Sequence, residues 1–155
     1  MEAVLASLIA VSGTLLGSVI TFAVQRRTSA QAEVFARSQQ LRQERLTTYS
    51  AYAGAVTALK QATVALWFLL QEAPESPETR HAFTECDRLG AATENAQFRV
   101  RLLAEDSTLV ALAASAFDAI SPLRTASTRT ELANREQDLQ DALNAFITAA
   151  TAQIR

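Results

Sequence analysis

The 155-residue sequence has little of what builds turns, cross-links or metal sites. It contains four glycines, three prolines, one cysteine and one histidine. A single cysteine excludes a disulfide within the chain and suits a reducing compartment. A single histidine excludes the paired Glu-x-x-His motifs of a di-metal helical bundle, unless a symmetric oligomer completes the site. We therefore expect no bound metal and no cofactor.

The chain also lacks an excess of one charge, because its 14 basic and 16 acidic residues nearly balance. It has no long basic run of the kind that indicates nucleic acid binding. No serine hydrolase elbow, glycine-rich phosphate loop or zinc spacing is present. Cys86 falls on an apolar stripe, where a thiol behaves as a small hydrophobe, and we expect His81 at the surface. We predict no catalytic residue, no enzyme, no nucleic acid partner and no small-molecule substrate.

What the chain does have is one long uncharged run at its start. Ala3 to Val24 carries no charge, and Gln25, Arg26 and Arg27 follow. About 22 helical residues span roughly 33 Å, enough to cross a bilayer core. The alternative is a cleaved signal peptide, but the run is too long and lacks a basic start and a small-x-small cleavage site. We predict an uncleaved single-pass anchor over residues 1–27.

Basic residues near this run set its expected orientation. Arg26 and Arg27 follow it, and no basic residue precedes it. Positive residues favour the cytoplasmic side, so we predict an N-terminus outside and the bulk of the chain in the cytoplasm. Arg26 and Arg27 are then placed to contact anionic lipid headgroups, and membrane lipid is an expected partner.

Small residues mark one face of the predicted anchor. Gly13 and Gly17 form a GxxxG pair, and Ala6 and Ala10 extend it towards the N-terminus. Small residues let two helices approach closely in a membrane, which favours self-association or docking against another subunit's helix. The alternative is that such residues are simply common in membrane spans.

The remaining chain predicts an all-α protein, since strong helix formers dominate and turn residues are scarce. The first helix is expected to continue to about Leu70. A second helix begins at the Ser76-Pro77 cap and runs to about Ala104, and a third follows the Asp106 cap. Pro122 either breaks or bends that third helix. The last helix begins at a capping box formed by Thr128 and Glu131.

Each segment carries one apolar stripe at helical spacing, which predicts an antiparallel four-helix bundle over residues 46–155. Residues 28–45 hold few large apolar groups, so we expect a solvated helical stalk. The stripes are Leu46, Tyr49, Ala53, Val56, Leu59, Thr63, Leu66 and Leu70; Phe83, Cys86, Leu89, Ala96, Val100 and Leu103; Leu109, Leu112, Ala116, Phe117 and Ile120; and Leu132, Leu139, Leu143, Phe146, Ile147, Ala150 and Ile154.

Val64 to Leu70 is apolar all the way round the helix. Two turns cannot all face one thin core, so Trp67 or Phe68 can be exposed at the bundle tip as a partner patch. The alternative is that both rings close the end of the bundle under the loop between Pro74 and Pro77.

The runs TLLGSVITFAVQRRTS and FARSQQLRQERLTTYSAYAGAV resemble small single-pass membrane proteins of actinobacteria that have no assigned activity. The resemblance covers the anchor and the start of the first long helix. It implies an anchored helical protein and adds no mechanism.

Together these features favour a non-enzymatic, membrane-anchored helical protein that acts by binding other proteins. It would be an accessory or scaffold subunit of a larger membrane complex, or a homo-oligomeric tether. The alternative hypothesis is a membrane-active effector of the lysis or defence type that assembles through its transmembrane helix. The absence of a charged face in the span argues against a pore.

Overall fold

The computed structural model describes the backbone of residues 2–154 and the side chains of residues 35–154. Within this range the protein is all-helical, as predicted, and no residue lies in a β-strand. Its helices are α1 (Glu2–Glu72), α2 (Pro77–Leu103), α3 (Ser107–Asp118), the one-turn α4 (Ser121–Arg124) and α5 (Arg129–Ile154).

The predicted starts of α2 and α3 are confirmed by their N-terminal caps. Ser76 Oγ accepts a hydrogen bond from the Thr79 backbone N–H at 3.0 Å, and Pro77 occupies the first position of α2. Asp106 Oδ1 accepts from Thr108 N at 2.9 Å and begins α3. These side chains satisfy backbone donors that have no partner inside the helix.

Both side chains of the predicted capping box at the start of α5 accept a backbone hydrogen bond. Thr128 Oγ1 accepts from the Glu131 backbone N–H at 3.1 Å. The Glu131 carboxylate accepts in return from Ser127 N at 2.7 Å, one residue before the expected donor. Pro122 breaks the third helix rather than bending it, because α3 ends at Asp118 and Pro122 lies in the separate turn α4, which begins at Ser121.

The chain divides into two compact units, residues 1–42 and residues 43–155. Every side chain from Phe35 to Glu44 is exposed. Among residues 35–154, one helical stretch, Phe35–Glu72, is long and apolar enough to cross a membrane by length and composition. That stretch also supplies Tyr52, Val56 and Leu66 to the core of the second unit.

In the second unit, side-chain hydrogen bonds join α1 to α2. The Tyr49 hydroxyl donates to the carbonyl of Leu103 at 3.3 Å, at the end of α2. Thr93, in the middle of α2, donates to the carbonyl of Ala55 at 3.2 Å. These two hydrogen bonds join α1 to the end and to the middle of α2.

The aromatic side chains of α1 connect it to α3 and α5. The Tyr52 hydroxyl donates to the carbonyl of Ala113 in α3. The Tyr52 ring meets Phe146 of α5 edge-to-face, with ring centroids 4.9 Å apart. Such a pair combines apolar burial with a favourable ring geometry, so Tyr52 joins three helices through one side chain.

The core follows the predicted stripes with instructive exceptions. Tyr52 and Thr93 lie outside the stripes, yet both are fully buried. The threonine hydroxyl is accommodated because it bonds the carbonyl of Leu89 one turn earlier. The core positions predicted for Leu46 and Ile147 are wrong, because 47% and 42% of these side chains are exposed. Each lies on the solvent edge of its stripe.

Candidate interaction surfaces

The structure places Trp67 in the core. Its side chain is 5% exposed, and its indole N–H donates to the carbonyl of Ala126 at 2.8 Å. The exposed position considered for Trp67 is therefore wrong. The connection between α4 and α5 covers this residue, so Trp67 closes the end of the core as the alternative interpretation held, though under a different loop.

Phe68 is half-buried beside it. The Trp67 and Phe68 rings meet edge-to-face with centroids 5.0 Å apart. The guanidinium of Arg129, at the start of α5, lies 5.5 Å from the centre of the Phe68 ring, which is cation–π geometry. Phe68 thus contacts two side chains of the same chain, Trp67 and Arg129.

An apolar groove lies between α1 and α5. It has a volume of about 260 Å³ and is bordered by the exposed side chains of Leu46 and Ile147. Tyr49 and Phe146 form part of its floor. The groove is lined almost entirely by carbon, so it offers a ligand contact area but few hydrogen-bond partners to orient it.

Cys86 is buried, as its place on the stripe predicts, and it lies near Thr63 of α1 and Phe117 of α3. Burial raises the pKa of its thiol, which disfavours the reactive thiolate. His81 is exposed, as expected. Within residues 35–154, no group of three or more histidine, cysteine or acidic residues could hold a metal ion.

The residues predicted to act in the membrane lie outside the described side chains. They are Ala6, Ala10, Gly13 and Gly17, assigned to helix packing, and Arg26 and Arg27, assigned to headgroup contact. These assignments stay predictions.

An exposed apolar surface that the sequence did not lead us to predict lies on α2. Leu102 is 83% exposed and Phe98, one turn earlier, is 48% exposed. Val100, between them, is fully buried and points to the opposite side of the helix. The signal was available in the sequence, because apolar residues recur there on the face opposite the core stripe.

The family model described as KilB plasmid transfer protein matches residues 46–154, more than half of the chain. The matched region falls within the compact unit of residues 43–155. No curated protein and no solved structure matches the chain.

Proposed function

The chain belongs to the KilB plasmid transfer protein family, and we propose that it serves plasmid transfer as a non-enzymatic, membrane-anchored helical protein. It acts by associating with other proteins, as an accessory or scaffold subunit of a membrane complex or as a homo-oligomeric tether. The observation that carries this proposal is the family match, which spans the unit that supplies the buried core and the exposed apolar surfaces.

The architecture we propose for that unit is an antiparallel four-helix bundle of α1, α2, α3 and α5. Its support is the order of the contacts. Tyr49 meets Leu103 while the later Ala55 meets the earlier Thr93, so α1 and α2 run in opposite directions. On α5, Tyr49 contacts Gln153 through its hydroxyl while the later Phe68 lies under Arg129. α5 therefore also runs opposite to α1.

The anchor we propose is residues 1–27, with the N-terminus outside and the bundle in the cytoplasm. Its support is the uncharged run of Ala3 to Val24 and the arginines that follow it. Plasmid transfer moves DNA between cells, so a component acting in it gains from being held at the membrane. The net charge of −2 suits contact with proteins of the transfer apparatus better than contact with DNA itself.

An anchor exchange tests this proposal. In cells that need the protein for plasmid transfer, residues 2–24 are replaced by an unrelated uncharged span without a GxxxG pair, with Arg26 and Arg27 kept. A matched variant carries Gly13→Ile and Gly17→Ile in the natural span. The measurements are transfer frequency and the amount of protein in the membrane fraction.

If the segment is only an anchor, the exchanged chain stays in the membrane and transfer is retained. If Gly13 and Gly17 pack against another helix, both variants stay in the membrane but lose transfer. A chain lacking residues 2–24 that remains fully active would overturn the membrane proposal. Leakage of dye from vesicles containing the wild-type chain would instead support the membrane-active effector.

A further inference from the structure

No further inference is drawn: the strongest candidate, the outward face of α2 with the exposed side chains of Phe98 and Leu102, is an apolar helix face without a partner among residues 35–154, and nothing in the structure shows what covers it.

Discussion

Trp67→Ala removes the side chain that closes the end of the core. Truncating a buried Trp or Phe to alanine costs about 3–5 kcal/mol, and more when the site cannot collapse. Here the substitution also removes the indole N–H that donates to the Ala126 carbonyl. Ala126 is itself buried, at 6% exposed. Because an unpaired buried carbonyl adds to the cost, we expect the free energy of unfolding to fall by about 4–5 kcal/mol. Such a loss is a large share of the about 5–15 kcal/mol typical of a domain.

Two further substitutions at this site separate the contribution of the indole N–H from that of the neighbouring Phe68 ring. Trp67→Phe keeps an aromatic ring but removes the N–H donor, so it should cost about 1–3 kcal/mol. Phe68→Ala removes a half-buried ring with a contact to Arg129, so it should cost about half as much as Trp67→Ala. The expected order of destabilisation is therefore Trp67→Ala first, with the two milder variants well below it.

Urea unfolding of the full chain in mild detergent, followed by circular dichroism, measures these differences. Trp67 is the only tryptophan, so fluorescence of the wild-type chain reports on this site alone. A buried indole should emit at short wavelength and resist soluble quenchers. An unchanged unfolding midpoint in Trp67→Ala, together with ready quenching in the wild type, would refute a structural role for this residue.

Two other predictions concern the polar contacts of Tyr52 and Glu131. Tyr52→Phe keeps the buried ring and removes the hydroxyl donor to Ala113, so thermal melting should report a loss of about 1 kcal/mol; a loss as large as that of Tyr52→Ala would contradict this. The backbone N–H of Ser127, and then Arg135, hold the pKa of Glu131 below its usual value. A lowered pKa in the folded chain stabilises it at neutral pH, and this contribution disappears as the pH falls through that pKa. Melting temperatures of wild type and Glu131→Gln should therefore differ at neutral pH and converge as the pH falls through the lowered pKa of Glu131, whereas a constant difference would refute the cap.

The helix boundaries could be predicted because they depend on local chemistry. Ser76 followed by Pro77 satisfies a backbone donor and presets the dihedral of the first turn, whatever the rest of the chain does. Asp106 acts in the same way at α3. Pro122 was ambiguous because a proline is tolerated both inside a bent helix and in the first turn of a new one.

The burial of individual side chains could not be predicted with the same certainty. Leu46 was predicted in the core and Trp67 was considered for an exposed patch, yet Leu46 is 47% exposed and Trp67 is 5% exposed. The difference comes from the connection between α4 and α5, which contains Ala126 and covers Trp67, and no local pattern places that connection over α1. Tyr52 lies beside the predicted stripe residue Ala53, and it is buried because the Ala113 carbonyl accepts a hydrogen bond from its hydroxyl in the core.

The family match and the proposed anchor lie in different parts of the chain. The match to residues 46–154 falls within the unit of residues 43–155, which holds the buried core and the exposed side chains of Phe98 and Leu102. Chains held in one membrane have a much higher effective concentration towards each other and towards membrane-bound partners than chains free in solution. A weak contact is strengthened in this way without any new interaction. On the proposed function, the first helix therefore needs only to concentrate the matched unit at the membrane, and that unit carries the specificity.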